Sequence, residues 1–350
     1  MQSVYSKRIA LLKGELRKRK MDSLLVTKGV NVSYLSGFMG HDSAVIVTSG
    51  RSFFITDSRY IEEANASVKG FDIILTKHSL YEAICDVVTR SRLKRLGFES
   101  MDLPYEVFIR LKKLVGKVDL VPVKGAVENL RIVKDPAEVA LIKKSIRLTK
   151  DVFEGMLPCI KSGMSEKELA ARLEIAFLNK GARPSFDIII AAGPNSSKPH
   201  AAPTARKVGR NSFIMADIGC VLRQYHSDMT RMVITGKASS RFRKIYNIVR
   251  TAQLIAIEAI RPGVQASRID EIARGYIRDN GFGKNFGHAL GHGVGMEVHE
   301  LPTISGFSET RLVPGMVFTI EPAIYLPGFG GVRIEDMVLV TDKGCEVLSK

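Results

Sequence analysis

Short apolar runs broken by turn residues open the chain. Their spacing predicts strands over Ser23 to Thr27, Ala44 to Thr48 and Phe53 to Thr56. Apolar residues recurring every three to four positions predict helices between and after them, at Tyr60 to Val68, Ser79 to Arg90 and Pro104 to Leu114. Met1 to Lys20 mixes Lys7, Arg8, Lys13, Glu15 and the run Arg17-Lys18-Arg19-Lys20 into an apolar pattern. It reads as a surface helix and lacks the unbroken hydrophobic core of a signal peptide. Together these elements make a small α/β domain. Pro122 and Gly125 interrupt the pattern between Val121 and Glu128, before a helix opens at Asp135-Pro136, an N-cap followed by proline at the first helical position. The expected division is therefore a domain of residues 1–124 and a second of residues 125–350.

The second domain carries a weak internal repeat at an offset of 100 residues. Ile160-Lys161-Ser162-Gly163 answers Ile260-Arg261-Pro262-Gly263, Gly181 answers Gly281, Leu169 answers Ile269 and Phe177 answers Ile277. Each copy is preceded by a long amphipathic helix (Ala137 to Leu157; Arg241 to Ile260). The helix that follows has its own start signal, Ser165 with Glu168 or Ser267 with Asp270, the pattern of a capping box. Two helix-helix-strand halves related by a pseudo-two-fold would bury one sheet beneath four helices, with a ligand site between the halves.

Composition narrows the class. Of 350 residues, 45% are hydrophobic and 25% charged, as in ordinary globular chains. The longest apolar stretches, such as Ile188 to Ala192, fall far short of the roughly 20 residues of a membrane-spanning helix, so no transmembrane segment is expected. Cys85, Cys159, Cys220 and Cys345 are widely spaced with no CxxC pair. Neither a zinc ribbon nor a disulfide framework is predicted, and the expected location is a reducing cytoplasm. The net charge of +16 is spread evenly, +8 in residues 1–124 and +8 in the remainder. Without a recognised nucleic-acid module, that spread argues against nucleic acid as a primary partner.

The chemistry concentrates in two apolar hairpins. Phe213 to Ile234 reads as strand, turn, strand, and Asp217 sits among apolar residues where an unpaired carboxylate is costly to bury. A hairpin centred between Leu222 and Arg223 would make Asp217 and Asp228 cross-strand neighbours, two like charges that need a cation between them. Glu321 and Glu335 are symmetric about Gly328 in the same way. Four such carboxylates exceed what one magnesium site usually takes and suggest two cations about 3.5 to 4 Å apart. Gly287-His288-Ala289-Leu290-Gly291-His292-Gly293-Val294-Gly295 supplies imidazoles. Its glycines oppose a regular helix, so only one of His288 and His292 is assigned to metal. His299 and His200 lie near the same loops and are candidates for proton transfer and oxyanion stabilisation.

Asp217, Asp228 in Ser-Asp-Met-Thr-Arg, the Gly291-to-Glu300 run, Glu321-Pro322 and Glu335 in Arg-Ile-Glu-Asp together resemble the pita-bread metallopeptidases, in particular their aminopeptidase P and prolidase branch. The likeness spans nearly the whole chain: Val26 to Phe38 and Thr56 to Tyr60 resemble the creatinase-like N-terminal domain of that branch. It implies an α/β (α+β) fold in which that domain precedes a pseudo-two-fold catalytic domain. It implies metal ligation by Asp217, Asp228, His292, Glu321 and Glu335, with Asp228 and Glu335 bridging two divalent ions: manganese first, with cobalt, zinc and iron as the other choices. It further implies that His200, His288 and His299 surround the substrate and that Arg333 braces the site near Glu335. One departure from the pattern, Gly209-Arg210-Asn211 before the first metal strand, touches only a turn.

The expected activity is release of an N-terminal residue from peptides with proline second, through a metal-bridging hydroxide. Glu321 would be the general base, His288 or His299 the oxyanion donor, and His200 and His299 walls for the proline. The alternatives are a prolidase confined to Xaa-Pro dipeptides and a non-catalytic binding module on the same fold. A homodimer is expected by the same likeness, with no membrane partner.

Overall fold

Arg8, Leu12 and Leu16 recur every four residues and are the buried positions of the first helix, α1 (Val4–Lys18), in the computed structural model, which describes residues 4–350. Met1 to Ser3, the start of the expected N-terminal helix, lie outside the described residues. The chain divides after Leu130 into two compact units.

The first unit continues through β1 (Ser23–Val26), α2 (Gly29–Ser36), β2 (Ala44–Thr48), β3 (Ser52–Thr56), α3 (Ile61–Ser67), β4 (Asp72–Leu75), α4 (Leu80–Arg90), β5 (Arg95–Glu99), α5 (Tyr105–Val115) and β6 (Asp119–Val123), with α6 (Glu128–Arg131) at the division. The first three expected strands and the three expected helices are all present. Strands β4, β5 and β6 were not signalled, because their charged residues and Pro122 break the apolar alternation. The six strands run β4-β3-β2-β1-β5-β6. Every residue of β1 and β2 is buried, so both faces of the sheet centre are covered. On one face Leu25, Ile46 and Ile55 pack with Ile84 and Val88 of α4, and on the other Phe54 meets Phe38 edge-on at 5.0 Å.

Helix α2 has no side-chain cap of its own at Lys28. Glu99, at the end of β5, supplies one from across the sheet. Its carboxylate accepts the N–H of Thr27 (2.7 Å) and of Lys28 (2.8 Å), and the Asn31 amide (2.6 Å).

In the second unit the helices come in two pairs: α7 (Pro136–Met156) with α8 (Glu166–Asn179), and α9 (Ser240–Ala259) with α10 (Ala266–Ile277). Asp135 and Glu138 form a capping box at α7, and Ser165 and Glu168 form the expected one at α8. The box expected from Ser267 and Asp270 does not form. Helix α10 starts earlier, with Gln265 as N-cap, and Asp270 turns inward to Arg274 and the Leu290 N–H. A short sequence pattern cannot separate a solvent-facing cap from a carboxylate drawn into an internal ion pair.

The repeat itself is visible bond by bond. Gly163 N donates to Val208 O as Gly263 N does to Leu312 O. Val208 N returns to Met164 O as Leu312 N does to Val264 O, and Glu166 N meets Arg206 O as Ala266 N meets Thr310 O, all within 2.8–3.0 Å.

Strands β7 (Arg183–Pro184), β8 (Ile189–Ala192), β9 (Ser212–Ile218), β10 (Cys220–Leu222), β11 (Tyr225–His226) and β12 (Met229–Thr235) belong to the first half. Strands β13 (Gly291–Gly293), β14 (Glu300–Ile304), β15 (Val317–Ile320), β16 (Ala323–Leu326), β17 (Gly330–Arg333), β18 (Asp336–Val340) and β19 (Cys345–Val347) belong to the second. Leu169, Leu173 and Phe177 of α8 pack on Ile190, Ile214 and Ala216, while α9 and α10 cover Phe318, Ile320 and Val338. Among the described residues no helix is long and apolar enough to cross a membrane.

Burial pushes the Glu99 carboxyl up to about 7, overcoming the three donors that favour its charged form. A carboxyl raised on folding contributes stability that is present below its ordinary value near 4.5 and is lost as pH rises through about 7. Denaturant unfolding at pH 5 and pH 8 is therefore expected to show about 2 kcal/mol of pH-dependent stability in the native protein that Glu99→Gln lacks. Equal pH dependence in the two proteins would refute that assignment.

Candidate active site

The two hairpins bring the acidic residues to one place, in slightly different registers from those expected. In the first, Leu222 pairs with Tyr225 across Arg223 and Gln224, both at positive φ (50° and 68°), a two-residue turn of the type that suits twisted hairpins. The centre thus lies one position later than predicted. Asp217 of β9 stands opposite Thr230 of β12 and, on its other side, opposite Ile189 of β8. Asp228, just before β12, is therefore a diagonal neighbour of Asp217 on the same face. The second hairpin is centred on Gly328 as expected, since Ala323 pairs with Arg333 and Ile320 with Asp336. Glu321 leaves the end of β15 and Glu335 enters the start of β18.

Glu335 and Asp336 show how alternation sorts adjacent acids. Asp336 faces away from the cluster and is saturated by Arg231 (2.7 Å), Ser349 (2.8 Å) and Gln253 (3.0 Å). The buried amide of Gln253 on α9 also donates to Ile320 O and Ile334 O, both at 3.3 Å, so it ties the two strands together just before Glu321 and Glu335. Glu335 accepts the Thr230 hydroxyl at 2.7 Å.

His292 lies in the middle of β13, with glycines on either side. A Cβ at Gly291 would collide with Thr319 O, and one at Gly293 with Leu301 O, so only glycine lets this strand come so close to its neighbours. The His292 Nε2 lies 3.3 Å from Glu321 Oε1 and 3.7 Å from Asp228 Oδ2. Asp228, His292 and Glu335 each offer one ligand atom, all within 4.8 Å of one another. Asp217 adds an Oδ1 that is buried and has no hydrogen-bond partner. A donor set of carboxylate oxygens, one imidazole and an orphaned oxygen suits hard or borderline divalent cations.

Without such a cation the cluster is electrostatically costly. Burial, then the neighbouring charges of Glu335, Asp217 and Glu321, holds the Asp228 carboxyl well above the usual range. Burial and the charges of Glu321 and Asp217 do the same to Glu335. Burial carries Glu321 up to about 8. Arg333 is the counter-charge. Burial works against its positive charge, but Tyr325, Asp217, Glu321 and Glu335 outweigh it.

Arg333, expected to brace the site near Glu335, is close enough for the two charges to act on each other, while its hydrogen bonds go to Asp217 Oδ2 from Nη2 and to the Thr230 hydroxyl from Nε at 3.1 Å, the hydroxyl that itself donates to Glu335. Arg333 Nη1 donates to the Tyr325 hydroxyl (2.6 Å) and to Pro199 O (3.0 Å). Tyr325 in turn meets His288 Nε2 at 3.1 Å, while His288 Nδ1 faces Ala289 O at 2.8 Å. Since a carbonyl can only accept, Nδ1 carries the proton of a neutral His288, and Nε2 accepts from Tyr325. No N–H of neutral His288 is left to meet an oxyanion, contrary to one of its two expected roles. Sequence reading missed Tyr325, Thr230 and Gln253. Tyr325 had a detectable signal: it lies in the predicted hairpin, between its two acids.

A cavity of about 700 Å³ opens over the cluster, lined by Asp217, Asp228, His292, Glu321, Glu335 and Arg333 on one side and by Phe186, Ile188, Ile189, Pro203 and Thr303 elsewhere. His200, His288 and His299 line it too, so every residue singled out in the sequence reaches this space. The His299 ring is 4.1 Å from that of His292. Glu300, the next residue, has a largely shielded side chain ion-paired with Arg131 (2.5 Å) and Lys134 (2.7 Å), which anchors the segment. His200 and His299 make no side-chain hydrogen bond among the described residues, unlike His288.

A family model described as metallopeptidase family M24 matches residues 140–342, and one described as the creatinase/prolidase N-terminal domain matches residues 8–133. The chain is 36% identical over 339 residues to an Xaa-Pro dipeptidase of Pyrococcus horikoshii, covering 95% of this chain and 94% of that one. Among solved structures, an Xaa-Pro dipeptidase from Bacillus anthracis superposes with a TM-score of 0.96 at 35% identity, covering 99% of this chain and 98% of the other. An X-Pro aminopeptidase from Thermotoga maritima superposes with a TM-score of 0.89 at 33% identity, covering 95% and 97%.

Burial lowers the His288 pKa to about 4, so this imidazole is neutral at physiological pH. Long-range ¹H–¹⁵N correlation spectra of the metal-free protein are expected to show His288 as the Nδ1–H tautomer, unchanged from pH 6 to 8. Tyr325→Phe should move the Nε2 resonance without altering the tautomer. An Nε2–H tautomer or a midpoint inside that pH range would contradict the chain from His288 to Asp217.

Proposed function

The chain belongs to metallopeptidase family M24, and from that premise we propose that it hydrolyses the peptide bond preceding proline in Xaa-Pro substrates, with Xaa-Pro dipeptides as the preferred class. The observation that carries this reading is the buried carboxylate–imidazole cluster on the floor of the cavity, in a chain aligned end to end with Xaa-Pro dipeptidases. These relatives move the weight from the longer peptides expected at first to dipeptides. One observation favours the longer ones. Among the described residues lining the cavity, the only lysine or arginine is Arg333, and it is committed to Asp217 and Tyr325. A dipeptide places a carboxylate on its proline, so the histidines would have to receive it.

Family membership implies divalent metal ions, and Asp217, Asp228, His292, Glu321 and Glu335 are the residues that would hold them. When bound, such ions supply Lewis acidity that polarises the scissile carbonyl and acidifies the attacking water. The residues of the chain supply the rest. Glu321, on the cavity floor 3.3 Å from the His292 Nε2, takes a proton from the attacking water on a carboxylate oxygen and returns it to the departing prolyl nitrogen. That nitrogen belongs to a tertiary amide and needs the proton to leave as an amine. His299 and His200, whose ring nitrogens are uncommitted, are the donors for the carbonyl oxygen as it gains charge. His288 serves instead as the anchor of Tyr325 and Arg333, and Arg333 orients Asp217. Ile188, Ile189 and Pro203 give the proline ring an apolar wall.

An Xaa-Pro dipeptide, an Xaa-Pro-Yaa tripeptide and an Xaa-Ala-Yaa control, offered to chelator-stripped protein reloaded with manganese, cobalt or zinc, test the proposal. Metal-restored cleavage of the dipeptide over the tripeptide is the expected outcome. Cleavage of the tripeptide alone would replace it with the aminopeptidase reading, and cleavage of the alanine control alone would end the proline assignment.

Because Asp228, Glu335 and Glu321 all hold protons above their ordinary range in the metal-free state, metal uptake must displace them. Calorimetric titration of stripped protein with manganese near pH 7, repeated in buffers of different ionisation enthalpy, is expected to reveal release of at least about one proton per chain, with affinity rising with pH. Uptake without proton release would contradict the ligand set.

A further inference from the structure

Two carboxylates outside the cluster are buried more completely than Asp217, Asp228 or Glu335: Glu166 and Asp270, both fully shielded from solvent. Each lies near the start of the second helix of one repeat half, Glu166 on α8 and Asp270 on α10. Each is bonded to the segment that carries a cavity histidine.

Glu166 accepts four hydrogen bonds. Its Oε1 takes the Ala192 N–H at 2.7 Å, and its Oε2 takes the Asn195 amide (2.9 Å), the Thr204 N–H (2.8 Å) and the Thr204 hydroxyl (2.6 Å). One carboxylate thus closes both ends of the segment from Ala192 to Thr204, and His200 sits inside the closure. Asp270 receives Arg274 through both oxygens, at 2.7 Å each, and the Leu290 N–H at 3.2 Å. Arg274 passes the hold on to Phe286 O (3.0 Å) and His288 O (2.8 Å) and lies 4.3 Å over the Phe286 ring, which meets His288 edge-on at 5.1 Å. The far side of Leu290 is used as well, since its carbonyl accepts the Glu321 N–H at 2.8 Å.

We propose that Glu166 and Asp270 are paired positioning residues, one per repeat half, that act through His200 and His288 respectively. Neither touches the cavity, so neither contacts substrate. A carboxylate is the group required because both of its oxygens must accept. An amide of the same shape would point an N–H₂ at donors on one side and leave a buried polar group unpaired. The two acids are not repeat equivalents, since Glu166 answers Ala266; what the halves share is a second helix beside the strand paired with a cluster strand, Ile189 opposite Asp217 in one half and Leu290 opposite Glu321 in the other. The kinetic part of the proposal rests on the Xaa-Pro reading, and the structural part does not.

The test uses the full-length, metal-loaded protein with Glu166→Gln, Asp270→Asn, His200→Ala, His288→Ala and the two matched doubles. Glu166→Gln is expected to lower kcat on the preferred Xaa-Pro substrate by about tenfold or more while metal content stays native. Glu166→Gln/His200→Ala should be no slower than His200→Ala alone, because a residue that acts through another adds nothing once that other is gone. The same relation is expected between Asp270→Asn and His288→Ala. Hydrogen exchange supplies the readout that needs no turnover. Glu166→Gln should lose amide protection over residues 192–204 and keep it over 286–291, and Asp270→Asn should do the reverse. Glu166→Asp, which keeps the charge and shortens the reach, should fall between native and Gln in both measurements and covers the case in which the Gln variant does not fold. Additive effects in the doubles, or protection lost evenly across the unit, would overturn the proposal. A native enzyme that cleaves no Xaa-Pro peptide would remove the reading of the reaction, and the exchange pattern alone would then decide the clamps.

Discussion

Four carboxylates gathered on one cavity floor, three of them buried and with a single guanidinium among them, form the constraint that the rest of this site answers. Like charges in a dry environment repel too strongly to coexist, so protons or cations must accompany them. Asp217 receives Arg333, while burial and mutual repulsion favour the protonated forms of Asp228, Glu321 and Glu335. The same pressure accounts for the hydroxyls of Thr230 and Thr319, each placed on a carboxylate oxygen, and for the amide of Gln253 holding the backbone between them. A divalent-cation site whose empty state is this unfavourable has part of its affinity stored in the fold.

Much of this organisation was legible in the chain, because it depends on pattern. Period-two alternation revealed the apolar hairpins and period-3.6 alternation the four long helices. The symmetry of Glu321 and Glu335 about Gly328 followed from counting. Counting failed by one residue at the first hairpin, since nothing in Leu222-Arg223-Gln224-Tyr225 announces that two non-glycine residues adopt the left-handed conformation there. Even so, the error left both aspartates on one face, because moving from a direct to a diagonal neighbour preserves the side of the sheet. The edge strands of the first unit and the inward turn of Asp270 were hidden for a related reason. A charged residue in sequence looks the same whether it faces solvent or an internal partner.

The histidines illustrate where pattern ends and geometry begins. His200, His288, His292 and His299 are equivalent as letters, yet their surroundings divide them into three kinds. A carbonyl on one nitrogen and a tyrosine hydroxyl on the other fully commit His288. Glu321 and Asp228 surround the Nε2 of His292. His200 and His299 keep their nitrogens for whatever enters the cavity. Partners remote in sequence set these surroundings: Tyr325 meets His288 from 37 residues away, and Arg131 and Lys134, from the start of the second unit, hold the Glu300 that adjoins His299.

Duplication explains how one chain can meet the central constraint from two sides. The helix pairs and their loop bridges match hydrogen bond for hydrogen bond, so each half delivers a strand pair to the same place with little freedom in position. What the halves deliver has diverged. The first supplies two aspartates on adjacent strand ends, and the second supplies two glutamates, the imidazole of His292 and the Arg333–Tyr325 pair. Aspartate on one side and glutamate on the other differ by one methylene, which lets carboxylates from opposed strands reach a common centre without moving the backbone that the repeat has fixed. Symmetry therefore belongs to the scaffold and asymmetry to the side chains. A site that must hold a cation, orient one carbonyl and protonate one nitrogen needs a different group at each of those points, so the chemistry requires the halves to differ where the fold requires them to agree.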